Sequence, residues 1–267
     1  MEFPPASLPD PWSHLRRHSP ARIALGRAGG SLPTQALLDF SLAHSQARDA
    51  VHAPFDPALL AGQLSSVGCP TRLLTTRAGD RRQFLTRPDW GRELSDVSRQ
   101  ELTPPSSPPA QSGPYDLVVI VSDGLSALAA HRQVVPLMTI LWPALLEQGW
   151  RMAPVCLIPR ARVALQDQVG ELLQARIALT LLGERPGLLA PDSLGAYFVL
   201  GPRPGRTDAD RNCVANIHPA GLSPEEAAVV LLRLLQRART EGCSGVALKD
   251  DTPILPGTAH PRLSHDH

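Results

Sequence analysis

The sequence predicts an α/β fold, with a Rossmann-like or flavodoxin-like parallel sheet, helices on both of its faces, and a mainly helical N-terminal region before it. After residue 115, apolar runs alternate with helical patterns, and strands that are apolar throughout need cover on both faces of a sheet. The composition agrees, because 43% of the residues are hydrophobic and 19% are charged, which is typical of a globular protein.

The C-terminal part supplies the alternating elements. The apolar runs predict strands at residues 117–121, 152–158, 177–182, 197–200 and 245–248. Helical spacing predicts helices at 134–148, which two prolines interrupt, and at 166–173. Another helix begins after Ser223, where a proline and two acids follow the cap, and it ends before Gly242.

The N-terminal region shows helical patterns of its own. Apolar residues from Ala36 to Ala43 recur at helical spacing, and residues 57–64 form a short helix that begins with a proline. Residues 86–92 predict a turn, because proline disfavours a helical conformation in the residue before it.

Two proline-rich stretches suggest the domain boundaries. Residues 1–101 form the mainly helical N-terminal region, and residues 102–114 (LTPPSSPPAQSGP) form a linker that prolines keep out of helices and inner strands. Residues 115–252 form the α/β domain, and residues 253–267 form a flexible tail.

Charge and cysteine content exclude several classes of protein. With 26 basic and 25 acidic residues the net charge is +1, which offers no field to attract nucleic acid or an anionic membrane. No apolar run approaches the ~20 residues of a membrane span, and the N-terminus lacks the pattern of a signal peptide. The four cysteines are scattered without a CxxC pair, so we expect reduced thiols and no metal site.

Ligands of parallel sheets bind at the carboxyl ends of the strands, which directs attention to the segments that follow each run. After the first strand, Asp123 could cap the next helix while Gly124 lets a ligand approach the backbone; a plain tight turn is the alternative. After the third strand, Glu184 is a candidate acceptor for a ligand hydroxyl or amine, and a surface contact with Arg185 is the alternative.

The segment after the fourth strand, residues 201–218, predicts a long polar loop, and loops of that length in compact domains are usually functional or disordered. Cys213 could be a nucleophile beside His218, although no orienting third group accompanies them. A packed thiol that contacts a ligand fits the pattern better, and simple core packing is the remaining alternative.

Several segments in unbroken order, over residues 15–250, resemble the small subunit (light chain) of ethanolamine ammonia-lyases. The N-terminal ones are RAG at 27–29, PTQALL at 33–38 and LTRPDWGR at 85–92. The later ones are VSDGLS at 121–126, RV at 162–163, DQVGE at 167–171, GERPG at 183–187, DSL at 192–194, DRNC at 210–213 and NIH at 216–218.

The resemblance implies a function that the residue patterns alone do not name. It implies a radical lyase that depends on adenosylcobalamin (coenzyme B12), converts ethanolamine to acetaldehyde and ammonia, and pairs this chain with a large barrel subunit in a hetero-oligomer. It implies cofactor contacts at Val163, Glu184 and Cys213, with the substrate-binding groups in the large subunit and no catalytic residue here. It also suggests a bacterial microcompartment, but the N-terminus lacks an amphipathic leading helix, which leaves the cytoplasm as the alternative.

The main competing hypothesis is a non-catalytic α/β binding or assembly module for B12 or another nucleotide-like ligand. A thiol-dependent hydrolase that uses Cys213 is a third possibility.

Overall fold

The computed structural model of the chain describes residues 10–103 and 115–249. The seven described α-helices are α1 (Thr34–His52), α2 (Pro57–Ser66), α3 (Arg81–Thr86), α4 (Asp96–Leu102), α5 (Ala127–Glu147), α6 (Leu165–Leu172) and α7 (Pro224–Glu241). The strands are β1 (Thr71–Leu73), β2 (Leu117–Ser122), β3 (Val155–Leu157), β4 (Ile177–Gly183), β5 (Leu194–Leu200) and β6 (Arg211–Ile217). Short 3₁₀ turns are found at Ser13–His18, Trp90–Arg92, Asp208–Asp210 and Gly245–Ala247.

The strands form one mixed sheet in the order β1-β3-β2-β4-β5-β6. The first four strands of that order are parallel, whereas β5 is antiparallel to β4 and β6 is antiparallel to β5. The predicted α/β class and the helical N-terminal region are therefore confirmed, but the sheet is not parallel throughout. Residues 184–193 and 201–210 contain no α-helix that could cross the sheet, so each of these two connections reverses the chain.

The helices cover both faces of the sheet, as predicted. On one face, α2, α5 and α7 pack on inward residues such as Val119, Leu179 and Phe198. On the other face, Leu165 and Val169 of α6 and Leu102 of α4 pack on alternate residues of the same strands, including Val118 and Ile120. The alternation shows why the β2 run must be apolar at every position: each side chain is buried under one helical layer or the other.

Several predicted elements differ from the observed ones. The strand predicted at 245–248 is a 3₁₀ turn, because Gly245 has φ +68° and its backbone packs directly on the carbonyl of Ala209. Helix α5 runs unbroken past Pro136 and Pro143, and it begins earlier than expected, at a cap where Ser126 Oγ accepts from the Ala129 amide. The loop predicted over 201–218 contains β6, and β1 was not expected at all.

The N-terminal region packs against the rest of the chain at both layers. Strand β1 pairs with β3, Leu60 and Leu64 join the core under α5, and Leu74 and Leu94 join the core under α6. The proposed division at residues 101 and 115 stays a prediction. Most of the linker (104–114) and the tail (253–267) lie outside the described residues.

Candidate functional site

Asp123 ties together three segments at the carboxyl edge of the parallel strands. Its Oδ1 accepts from the backbone amide of Arg160 at 2.5 Å, and its Oδ2 accepts from Arg81 Nη1 at 3.0 Å. The prediction that Asp123 caps the following helix is wrong, because Ser126 fills that position. Asp123 instead holds the loop after β3 and the N-terminal helix α3 against the end of β2.

Gly124 allows a close approach, but the partner is the end of β4. It has φ +50°, and a Cβ atom placed on it would lie 2.5 Å from the carbonyl oxygen of Gly183. No other residue type fits between these two strand ends, which brings the loops after β2 and β4 together.

Glu184 follows β4 directly and is held by two donors. Ser193 Oγ donates to Glu184 Oε2 at 2.6 Å, and the backbone amide of Asn216 donates to the same oxygen at 3.2 Å. The alternative contact with Arg185 is absent among the described residues. Oε1 receives no hydrogen bond from any described residue, so one acceptor of a half-buried carboxylate is left over.

The remaining oxygen packs closely over Gly195, where only a glycine fits. A Cβ atom on Gly195 would lie 3.0 Å from Glu184 Oε1, 2.8 Å from Tyr197 Cε2 and 3.1 Å from the Tyr197 hydroxyl. The carboxylate of Glu184 and the ring of Tyr197 therefore pack side by side over Gly195 of β5.

Cys213 lies on β6 directly opposite Tyr197 on β5, and its side chain is exposed. Although the residue is exposed, partial desolvation of its thiol raises the pKa of Cys213, the nearby Tyr197 hydroxyl lowers it, and the charge of Glu184 raises it further. Burial likewise raises the pKa of Tyr197 well above its ordinary value, with the charges of Cys213 and Glu184 adding to it. Both groups are neutral at pH 7.

The arrangement argues against a thiol nucleophile. His218 Nε2 lies 2.9 Å from Asn216 Oδ1, and no hydrogen bond joins the imidazole to Cys213 in the described structure. A nucleophilic cysteine needs a lowered pKa, whereas the pKa of Cys213 is raised. Cys213 is suited to contact a ligand as a neutral, weakly polar side chain.

A concave space of ≈ 400 Å³, here named the Glu184 groove, lies at the carboxyl edge, and Cys213 is not among its lining residues. It is lined among others by Phe84, Gly124, Arg162, Leu182, Glu184 and Tyr197. A second space of ≈ 440 Å³, the arginine groove, holds Val163 and shares Arg162 with the first. The two predicted residues Glu184 and Cys213 thus meet around Tyr197, and Val163 lies in the adjoining groove.

Sequence reasoning missed four contributors to this site: Phe84, Ser193, Gly195 and Tyr197. Only Tyr197 carried a local signal, as a polar aromatic residue in an apolar run. The others depend on pairings between segments distant in sequence.

Residues 10–103 and 115–249 contain neither a candidate metal site nor a helix that could span a membrane. No group of three His, Cys, Asp or Glu side chains in them could hold a metal ion. None of their helices is long and apolar enough to cross a membrane.

Comparison with known proteins places the chain among one set of relatives. A family described as "Ethanolamine ammonia-lyase light chain (EutC)" matches residues 9–249. The chain is similar to "Ethanolamine ammonia-lyase small subunit" of Pseudomonas fluorescens SBW25, with 51% identity over 257 residues, 95% of this chain and 92% of the relative. The protein of the same name from Ralstonia nicotianae GMI1000 is 51% identical over 256 residues, 95% of this chain and 94% of the relative. The one from Xanthomonas campestris is 50% identical over 257 residues, 96% and 94% of the two chains.

Proposed function

Because the chain belongs to the family of ethanolamine ammonia-lyase light chains, we propose that it is the small subunit of a lyase that converts ethanolamine to acetaldehyde and ammonia. This proposal rests on a sequence identity of about one half with proteins of that name, over 95% of the chain. The name "small subunit" supports a larger partner, and we propose a barrel subunit that holds the substrate, in a hetero-oligomer.

We propose adenosylcobalamin as the cofactor, held between this chain and the large subunit. When bound, it would supply the radical chemistry that a carbon–nitrogen lyase of this kind needs. The Glu184 groove fits part of such a ligand, because Glu184 and Tyr197 both line it and Oε1 of Glu184 receives no hydrogen bond from a described residue. The residues proposed to hold the cofactor are Val163, Glu184 and Cys213.

Each of these three side chains has a distinct proposed role. Glu184 accepts a hydrogen bond from an N–H or O–H of the cofactor through Oε1, and the donors on Oε2 fix its orientation in advance. Cys213 and Val163 offer neutral contact surface that limits water at the site. Exclusion of water matters because it suppresses side reactions of a reactive species.

The apolar surface of α1 supports a protein partner next to the cofactor edge. Leu37, Leu38, Phe40 and Leu42 are all substantially exposed, with Leu42 at 60%. Phe40 also lines a mostly apolar groove with Leu188 and Leu189, which belong to the same β4–β5 connection as Glu184. We propose that the large subunit covers this surface, which places it beside the cofactor.

Co-expression tests the proposed function. The chain together with a large subunit of the family should release ammonia from ethanolamine when adenosylcobalamin is added, and the chain alone should not. A pair that assembles and binds the cofactor but leaves ethanolamine intact would contradict the substrate assignment.

We also propose, from the family resemblance, that the assembled enzyme resides in a bacterial microcompartment. Co-sedimentation with purified shells would support this location. Recovery of all activity in the fraction without shells would favour the cytoplasm.

A further inference from the structure

The arginine groove is strongly basic. Four arginines line it, namely Arg92, Arg162, Arg206 and Arg211, and Asp208 is the one acidic residue among its lining residues. The groove borders the Glu184 groove, with which it shares Arg162. Such a concentration of positive charge in a concave space attracts negatively charged groups.

Two of the four arginines are balanced by carboxylates of the same chain. Arg211 Nη1 and Nη2 donate to the two oxygens of Asp167 at 2.8 and 2.7 Å, and both side chains are buried. Arg206 Nη1 donates to Asp210 Oδ1 at 3.1 Å, and its other nitrogens donate to the carbonyls of residues 200 and 201. Arg206 and Arg211, held by these contacts, form part of the wall of the arginine groove.

Arg92 and Arg162 are not balanced in this way. Neither forms an ion pair with any carboxylate of residues 10–103 or 115–249. The pKa of Arg162 is lowered by burial and then by the positive charges of Arg81 and Arg92, so like charges face one another here. An anion bound between Arg92 and Arg162 would relieve this repulsion.

Arg162 is fixed in position before any ligand arrives. Its guanidinium carbon lies 4.1 Å from the centre of the Phe84 ring, and its Nη2 donates to the Phe84 carbonyl at 3.1 Å. Its backbone amide donates to the carbonyl of Gly91 at 2.8 Å, and a Cβ atom on Gly91 would lie 2.9 Å from Arg162 Cγ. The turn that carries Arg92 is thereby packed against Arg162.

We propose that Arg92 and Arg162 bind a phosphate group, either as a phosphodiester or as free phosphate. Guanidinium groups are planar forks of donors whose geometry matches phosphate oxygens, and a fixed fork loses little entropy on binding. Adenosylcobalamin carries one phosphodiester, in its nucleotide loop. The cofactor as the source of the phosphate rests on the proposed function, whereas anion binding by the two arginines does not.

The first experiment measures anion affinity directly. The full chain is titrated with inorganic phosphate and with dimethyl phosphate, followed by calorimetry. Arg92→Gln and Arg162→Gln should each weaken binding of at least one probe by about tenfold, the usual effect of losing a charged hydrogen bond. Arg48→Gln, which removes the same charge from an exposed position on α1, should leave both affinities unchanged.

The second experiment identifies the source of the phosphate. The complex with the large subunit is titrated with adenosylcobalamin and with adenosylcobinamide, which lacks the nucleotide loop and its phosphodiester. If the cofactor is the source, both arginine variants bind adenosylcobalamin about tenfold more weakly and adenosylcobinamide equally well. If free phosphate is the source, only the affinity for phosphate falls.

Three results would overturn the proposal. The first is that both variants keep the affinities of the wild type. The second is a loss of affinity confined to Arg162→Gln, because the packing of Arg162 on Phe84 could act through the fold. The third is an equal loss of affinity for both corrinoids while phosphate binding stays intact. Arg92 is exposed, so Arg92→Gln should fold normally and keep the test decisive. Phosphate binding that depends on both arginines, in a chain whose complex with the large subunit shows no lyase activity, would retain this site and refute the proposed function.

Discussion

The carboxylate of Glu184 packs directly over Gly195. The Oε1 atom of Glu184 lies 3.0 Å from the point where a Cβ atom on residue 195 would stand, and the Tyr197 ring closes the other side. The position of the carboxylate thus depends on the absence of a side chain on the neighbouring strand. This dependence makes Gly195 a sensitive probe of the site.

Gly195→Ala should reduce cofactor affinity by about tenfold and destabilise the fold by about 1–3 kcal/mol, because the new methyl group displaces Glu184 or Tyr197. Titration of the reconstituted complex with adenosylcobalamin measures the first effect, and urea unfolding measures the second. Gly62→Ala is the matched control, since a Cβ atom there meets nothing and the position is an exposed helix interior. It should stabilise the chain by about 0.5–1 kcal/mol. Undiminished cofactor affinity in Gly195→Ala would argue that the carboxylate does not need its present position.

Asp167→Asn should destabilise the chain by about 3–5 kcal/mol, because it leaves the buried guanidinium of Arg211 without its counter-charge. Asp89→Asn makes the same change in the exposed pair with Arg87 and should destabilise the chain much less, because solvent screens that pair. Urea unfolding of both variants measures the difference. Equal and small losses would show that the Asp167–Arg211 pair does not stabilise β6 against α6.

Cys213 should react with iodoacetamide before Cys69 and Cys156, but more slowly at pH 7 than an ordinary exposed thiol. Only the thiolate reacts, and a raised pKa lowers the thiolate fraction, so the rate should increase about tenfold per pH unit below that pKa. Burial raises the pKa of Cys69 to about 11 and that of Cys156 to about 12, so both should react only on unfolding. Mass spectrometry of the labelled chain follows each site.

Tyr197→Phe sharpens the same experiment. It removes the hydroxyl that lowers the pKa of Cys213, so alkylation at fixed pH should become slower. Tyr115→Phe is the control, because that residue lies away from β6 and should change nothing. Faster alkylation in Tyr197→Phe would mean that the hydroxyl shields the Cys213 thiol from the reagent rather than lowering its pKa.

Local signals predicted those parts of the fold that local interactions determine. The cap at Ser223 and the left-handed Gly242 define both ends of α7, and the apolar run of β2 needs no partner to be read as a buried strand. Strand β6 was missed because its sequence RNCVANI is polar with exposed positions, and pairing with β5 makes it a strand. The same distinction applies to the site. The place of Glu184 after β4 was predicted, but its support by Ser193 and Asn216 arises from contacts between distant segments.

The affinity of the reconstituted complex for adenosylcobalamin, compared between wild type and Glu184→Gln, tests the central claim most directly. The substitution keeps the shape of the side chain and removes the charge, and Glu147→Gln at the exposed end of α5 is the control. Loss of a charged hydrogen bond predicts affinity at least tenfold weaker in Glu184→Gln, with Glu147→Gln unchanged. Equal affinities in all three proteins would contradict the assignment of the cofactor to this edge of the sheet.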